Sequence, residues 1–341
     1  MGESENILVY IPFDEMKNTF QSVLSKKGFE EERASVCAEI FATNSYDGVL
    51  SHGVYRFKRF IEFIEKGIVK KDASPSLTSK FNGIEQWNGN LGPGMLNAIF
   101  ATDQCIKLAE EFGIGCVALF NTNHWMRAGT YGKRAAEKGF VFIGWTNTVA
   151  NMSAWGALDA KLGNNPLVIA LPYKEEVIVL DMAMSQFSFG KMEMMSLKNE
   201  KLPVAGGFDR KGKMTNDPAE ILRSRRPLPA GYWKGAGLSL LLDLLAAVLS
   251  GGDSTHEISR REKEHSVSQV FISLNISKLS HSSSIPGIIE NIISDYKQSV
   301  VENEDNPVRY PGENILKIRE QNQKNGIPVL KNVWQEITGL L

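Results

Sequence analysis

The sequence predicts an α/β protein built on a mixed sheet, and three observations carry that expectation. Residues 13–67 hold three stretches with helical spacing of apolar residues, the first two stopped at Gly28 and Gly48. Five short apolar runs bounded by turn residues, at 114–120, 138–145, 167–171, 177–182 and 269–274, read as buried strands. Strands and helices mix without strict βαβ alternation, which favours a mixed sheet over a doubly wound parallel one.

In chain order, "FDEMKNTFQSVLSKKG" (13–28) and "EEERASVCAEIFATNSYDG" (30–48) are the first two helices. "VYRFKRFIEFIEKG" (54–67) is the third, with Phe57, Phe60, Ile61 and Ile64 on one side and His52 at the junction that opens it. After a loop at 69–80, the strand-like "IEQW" (84–87) meets the glycine loop "NGNLGPG" (88–94) and a helix over 95–112. That loop is not G-x-G-x-x-G, and Pro93 removes an amide donor, so a plain turn is the better reading than a phosphate cradle. Further helices are expected at 128–137, 184–198, 235–250, 284–303 and 312–325, and one starts where Asp217 precedes Pro218. Residues 250–266 are polar and read as a loop.

The 341 residues are 43% hydrophobic and 23% charged, with a formal net charge of −1, which argues against a nucleic-acid partner. Cys37, Cys105 and Cys116 are odd in number and lack CxxC spacing, so reduced thiols in the cytoplasm are expected. The five histidines show no HxxxH pair, and no metal is expected. The N-terminus carries early acids and only a short apolar run, unlike a signal peptide. The longest apolar stretch, 237–251, is shorter than the roughly 20 residues a bilayer needs and contains Asp243. It reads as a buried helix, and no membrane partner is expected.

Several polar groups sit where chemistry could use them. His52 titrates near neutrality and Arg56, four residues on, lies on nearly the same helix side, so the pair could give a proton and grip a carboxylate. The bland reading is a helix capped by Ser51 with His52 in solvent. Ser51 beside His52 also invites a hydrolase reading, but adjacent residues rarely point at each other and no G-x-S-x-G elbow is present. Lys234 stands before a helix opening with Gly235 and Gly237, where it could hold an anion or simply be exposed. The strand at 114–120 runs into "NTNHWMRAG", with Asn123, His124 and Arg127 together. Buried amides and imidazoles must be paired, so such a strand end suits either a self-satisfied loop or a polar ligand. "WTNT" (145–148) and "GNNP" (163–166) add more hydroxyls and amides, which favours a pocket for a hydroxyl-rich small molecule.

Taken in order, "SHGVYRF", "NHW", "GNNP", "VLDMAMS", "WKGAGL" and "PGE" span nearly the whole chain and resemble the malate/L-lactate dehydrogenase family. Its members are NAD(P)-dependent oxidoreductases without the usual dinucleotide fingerprint. "TNHWMRAGTYG", "AGYWKGAG" and "GGFDRKG" are similar to a subgroup that reduces a diketo sugar acid. The resemblance implies a mixed-sheet, non-Rossmann nicotinamide-dependent domain (76–304) joined to a helical module from both termini (1–75 plus 305–341). It implies a homodimer, and NAD as cofactor in the form of NADH, with NADPH as the alternative. It makes His52 the proton donor; acting as imidazolium, His52 would protonate the alkoxide, with Asp181 the candidate to orient it or raise its pKa unless Asp181 belongs only to the cofactor site. Cofactor contacts fall on Val177, Ile178, Val179, Leu180, Asp181, Met182 and Ala183, on Trp233 and Lys234, and on Gly312, Glu313 and Asn314. Arg56 would hold the substrate carboxylate, Asn123, His124 and Arg127 would read its hydroxyls, and Trp125 would supply an apolar wall. "DMAMS" for "DMATS" and "GNNP" for "GTNP" depart from the broader family; the first is also altered in the sugar-acid subgroup. Malate, lactate, ureidoglycolate or another 2-oxo or 2-hydroxy acid remains the rival substrate, and a non-catalytic nucleotide-binding protein the rival class.

Overall fold

Alternating side chains along one seven-stranded sheet build two of the protein's cores at once. The computed structural model describes residues 7–304 and 307–341. The first six residues of the N-terminal stretch and the expected unit boundary at 305 lie outside the described residues.

The chain opens with β1 (Leu8–Ile11), α1 (Phe13–Lys26), α2 (Glu31–Tyr46) and α3 (Val54–Glu65). Then come β2 (Ser76–Phe81), β3 (Ile84–Asn88), α4 (Gly94–Phe112), β4 (Ile114–Thr122), α5 (Gly129–Glu137) and β5 (Phe140–Thr146). The short β6 (Met152–Ser153) and β7 (Ala160–Leu162) precede the hairpin β8 (Leu167–Tyr173) and β9 (Glu176–Met182). After α6 (Phe189–Leu197), β10 (Gly207–Phe208), β11 (Met214–Thr215) and α7 (Pro218–Ser224), the long α8 (Trp233–Ser250) and short α9 (Thr255–Ile258) lead to β12 (Val267–Asn275). The chain ends with α10 (Ile285–Lys297), α11 (Asn314–Asn325), β13 (Ile327–Leu330) and α12 (Lys331–Thr338).

The main sheet runs β2-β3-β4-β12-β5-β8-β9. Only β3 and β4 pair in parallel; the other neighbours are antiparallel, so the sheet is mixed as the sequence predicts. Period-two alternation sends Val117 and Leu119 toward α4 and α5, with Phe142, Val168 and Phe271. It sends Cys116 and Ala118 toward α8, with Trp145 and Val270. A slip of one residue in β4 would exchange both faces, so the register is doubly specified.

A separate core joins the chain ends. Met16, Phe20, Val23 and Leu24 form the buried stripe of α1, and Phe20 stacks on Phe57 of α3 at 4.2 Å between ring centroids. β1 pairs antiparallel with β13, and Ile327, Val329 and Ile337 enter this same core. Met95 and Met126 reach it from the sheet side.

Several elements differ from the sequence reading for identifiable reasons. β1 and β13 have four residues each and exist by pairing with one another across the chain. All six residues of β2 are exposed, so it has no apolar alternation to announce it. α12 follows β13 directly and was not anticipated. The helix expected from 184 starts at Phe189, because Met184 N and Gln186 N donate to Asn164 O and Leu228 O and Ser188 caps the first turn. α10 ends at Lys297 rather than 303. α8 corrects the expectation of a buried helix. Ala236, Ser239, Leu242 and Ala246 face the sheet, while Leu240, Leu241, Leu244, Leu245 and Val248 are exposed. By length and composition α8 is apolar enough to cross a membrane; in the fold one face packs on the sheet, and its Asp243 accepts from Asn147 Nδ2 and Thr255 N.

Gly115 sets the seat of α4 on β4, since a Cβ there would lie 2.1 Å from Cys105 O and 2.9 Å from Ala109 N. Gly115→Ala must push helix backbone off the sheet, at an expected cost of roughly 3 kcal/mol. Urea unfolding should show a lower midpoint at unchanged slope; a midpoint matching the parent would contradict this packing account.

Candidate active site

The site is assembled around the turn Leu50–His52, which is pinned to α2. Val54 N donates to Ser45 Oγ at 2.8 Å, and a Cβ on Gly53 would lie 2.2 Å from that oxygen and 2.9 Å from Phe41 O. Glycine is therefore needed for α3 to begin against the backbone of α2. The buried Asn44 donates to His52 O at 3.0 Å and accepts from Thr130 Oγ1 at 3.0 Å, so α2 and α5 fix the histidine backbone together. Ser51 Oγ lies 3.1 Å from His52 Nδ1, while Gly190 of α6 closes over Ser51 so tightly that a Cβ would come within 2.4 Å of its Cβ.

The end of β4 brings His124 to His52: their rings lie 5.6 Å apart and 19° from parallel. Met126 adopts φ +67°, which turns its N–H back onto His124 Nδ1 at 2.9 Å. Nδ1 is thus an acceptor, and a neutral His124 carries its proton on Nε2.

Four expectations are corrected by the packing here. Trp125 is 1% exposed, stacked on Tyr131 and edge-on to Phe271, so it is core rather than pocket wall. Asn123 spends its Nδ2 on Leu91 O, Gly92 O and Ile68 O, which ties down the glycine loop and leaves only its Oδ1 without a partner. Arg127 is buried in an ion pair with Asp47, which also receives Arg319 from α11, so its Nη1 is committed to the protein. Asp181 accepts from Gly129 N at 2.7 Å and lies 3.9 Å from Arg127 Nε; no hydrogen bond joins it to His52. Asn44, Ser45, Asp47 and Arg319 were missed by the sequence reading, because "NSYDG" reads only as the end of a helix and Arg319 stands in a polar helix far along the chain.

The guanidinium of Arg56, one turn after His52, makes no hydrogen bond or ion pair among the described residues. Burial lowers its pKa from the usual value, Arg59 adds to this, and Glu264 and Glu193 oppose it. His52 is pushed down to about 4, first by burial, then by Arg56 and Arg127. His124 is held well below its ordinary value by burial, then by Arg56, His52 and Arg59. Burial raises Asp181 against the pull of Arg127 and the Gly129 N–H. Without a ligand, both imidazoles are therefore neutral at pH 7.

The three segments expected to hold a cofactor meet along β9. Val179 N donates to Pro311 O at 3.1 Å, and Gly312, at φ +93°, lies so close that its Cβ would be 3.3 Å from Val179 N. At the other end of the strand Ala230 N donates to Met184 O at 2.8 Å, which delivers Trp233 and Lys234 at the start of α8. Trp233 is exposed, and the Lys234 ammonium makes no hydrogen bond or ion pair among the described residues. An open indole beside an unpaired ammonium at the amide-rich end of a helix fits a flat ring and a phosphate, as a dinucleotide carries. Glu313 differs: it is engaged by Lys297 and by Tyr310 N, and it precedes Asn314, which begins α11.

Residues 11–338 match the malate/L-lactate dehydrogenase family. The chain belongs to that family. This membership makes it an oxidoreductase acting on hydroxyl or keto groups, of a kind that works with a nicotinamide cofactor. Among its relatives, the 2,3-diketo-L-gulonate reductase of Citrobacter koseri is 41% identical over 331 residues, covering 97% of this chain and 99% of the relative. The reductase of the same name from Salmonella paratyphi A is 42% identical over 332 residues, with coverage of 97% and 99%. In three dimensions this family member is similar to malate dehydrogenase from Pyrococcus horikoshii OT3, with a TM-score of 0.89 at 28% identity and coverage of 100% and 97%. Sulfolactate dehydrogenase from Methanocaldococcus jannaschii superposes with a TM-score of 0.89 at 26% identity, covering 97% and 96%.

The neutral His52 has a thermodynamic signature. The unfolded chain takes up its proton near 6.5 and the folded one only near 4, so stability is lost as pH falls through that window and levels off below it. The His52 share should reach on the order of 3 kcal/mol at the acid end. His52→Gln should flatten the pH dependence of urea unfolding; equal slopes in both proteins would mean that His52 is not held neutral.

Proposed function

We propose that this protein reduces a ketone of 2,3-diketo-L-gulonate to give 3-dehydro-L-gulonate, with NADH as reductant and NADPH as the alternative. One observation carries the reading: the half-buried guanidinium of Arg56, with no hydrogen-bond or ion-pair partner among the described residues, stands one helical turn from His52, and its field reaches both imidazoles. A partly desolvated, unpaired cation is costly, and a substrate carboxylate relieves that cost. The 2,3-diketo-L-gulonate reductases that are 41–42% identical over 97% of the chain support the choice of acid.

Arg56 takes the carboxylate. That contact offsets the Arg56 charge that adds to burial in holding His52 neutral, and the bound carboxylate favours the imidazolium, so the imidazole gains its proton as the acid binds and delivers it to the carbonyl oxygen. His124, with its proton on Nε2, donates to the neighbouring oxygen and keeps its place among the substrate contacts. Asn123 offers only its Oδ1, and Arg127 positions the site rather than touching the acid. A bound nicotinamide cofactor supplies the hydride. We assign its contacts to β9 from Val177 through Ala183, with Asp181 on the cofactor side, and to Trp233, Lys234 and the turn at Gly312. The exposed leucines of α8 suit burial against a second copy, so the assembly is a homodimer. The buried free thiols Cys37, Cys105 and Cys116 suit the reducing cytoplasm.

NADH absorbance with purified protein and 2,3-diketo-L-gulonate tests the reaction. His52→Ala should lower kcat by about 10²–10⁴-fold, and Arg56→Gln should raise KM for the acid while leaving KM for NADH in place. Turnover of malate or lactate but not of the diketo acid would overturn the substrate. The assembly is tested by light scattering: the parent should weigh as a dimer and the double variant Leu241→Asp, Leu244→Asp as a monomer. A monomeric parent at micromolar concentration would refute the assignment.

A further inference from the structure

A tyrosine stands where the backbone calls for glycine. Residues 231–234 form a tight turn into α8, closed by Lys234 N donating to Gly231 O at 3.3 Å. Tyr232, the second residue of the turn, has φ +63° and ψ −118°. These are the angles of the first central position of a type II′ turn, which glycine enters freely and a side chain enters only under strain. The turn has little room to escape them. Tyr232 N donates to Pro229 O at 3.0 Å, Ala236 N donates to Tyr232 O at 3.2 Å, and a Cβ on Gly235 would lie 2.2 Å from Ala230 O. Glycine at 232 would give the same turn without strain, so the turn itself does not account for the tyrosine.

Its side chain lies against Trp155, from the loop between β6 and β7, with ring centroids 5.2 Å apart and planes at 56°. Both partners are fastened to one residue just past β9: Met184 N donates to Asn164 O at 2.8 Å, on the segment after β7, and Ala230 N donates to Met184 O at 2.8 Å. Yet Tyr232 is 49% exposed and Trp155 48%, and the Tyr232 hydroxyl makes no hydrogen bond among the described residues. A tilted, half-exposed pair stabilises a fold only weakly and leaves each ring an open face. The next residues along the chain are Trp233 and Lys234. Strain kept for the sake of a ring with an open face is the mark of a ligand site. We propose that Tyr232 is a further cofactor-binding residue: with Trp155 beside it, its ring supplies a face on which a planar ring of the dinucleotide stacks, next to Trp233 and Lys234. The strained turn sets that ring in place before the cofactor arrives. This rests on the reading of Trp233 and Lys234 as cofactor contacts.

The test is NADH binding to the full chain by calorimetry, with thermal melting of each protein without ligand and its mass by light scattering. Tyr232→Gly and Tyr232→Ala both lack the ring, but only the second keeps the strain. Tyr232→Gly should therefore melt about 2 °C or more above Tyr232→Ala, while both bind NADH about tenfold more weakly than the parent. Stability and affinity then part company, which a merely structural tyrosine would not produce. Tyr232→Phe keeps the face and should bind within about twofold of the parent. ADP-ribose, which lacks the nicotinamide, separates the two rings of the cofactor: an equal loss in Tyr232→Gly places adenine on Tyr232, and no loss places nicotinamide there. NADH affinity within about twofold of the parent in both Tyr232→Gly and Tyr232→Ala would overturn the proposal. So would a loss that Tyr232→Phe shares, equal melting of the glycine and alanine variants, or a loss that accompanies a fall in mass, which would give the ring to contact between copies. Failure of the underlying reading looks different: Lys234→Met would then bind NADH as tightly as the parent.

Discussion

Asp47, held between Arg127 and Arg319, is the interaction on which the relative placement of the parts depends. Its carboxylate stands at the end of α2, Arg127 leads into α5 on the sheet, and Arg319 belongs to α11 near the C-terminus. Three distant stretches of chain therefore converge on one side chain that is 2% exposed. Such a pair adds little net stability over an apolar packing, but removing one partner strands a buried charge at about 3–5 kcal/mol. The clamp thus acts as a registration device more than as a source of stability. It leaves Arg127 beside Asp181 on β9, so that strand and the end of α2 are linked by one line of alternating charge.

Burial, reinforced by the positive charge of Arg56, holds both imidazoles neutral without ligand. The Arg56 guanidinium has no hydrogen-bond or ion-pair partner among the described residues, and Arg127, though paired with Asp47, adds to the same field at His52.

The sheet strands were legible because apolar runs such as "VALF" and "VIVL" are buried and flanked by turns, which is what periodicity reports. β2 and the β1–β13 pair were not, since one is wholly exposed and the others are made by long-range pairing of four residues. His52, Arg56 and His124 stood out in the sequence as polar residues at element ends, and the fold gathers all three. The roles of Asn123, Trp125, Arg127 and Asp181 could not be read from their types. An amide or guanidinium near a strand end serves equally well as ligand contact or as internal brace, and only the partner's position decides. Here the partners are Leu91 O, Gly92 O, Asp47 and Gly129 N, from segments that adjacency in sequence does not connect.

The strand order carries a further consequence for how the chain reaches this state. β12 lies between β4 and β5, yet it is made more than a hundred residues after either. A growing polypeptide therefore holds two sheet halves, each with a bare edge facing the other, until residue 275 has left the ribosome. The centre of the sheet closes last. Completion of the fold is then governed by capture of one late strand, with the slow search that non-local pairing imposes. Until that capture the two open edges are where a nascent chain is most exposed to mispairing and most in need of a chaperone's shelter.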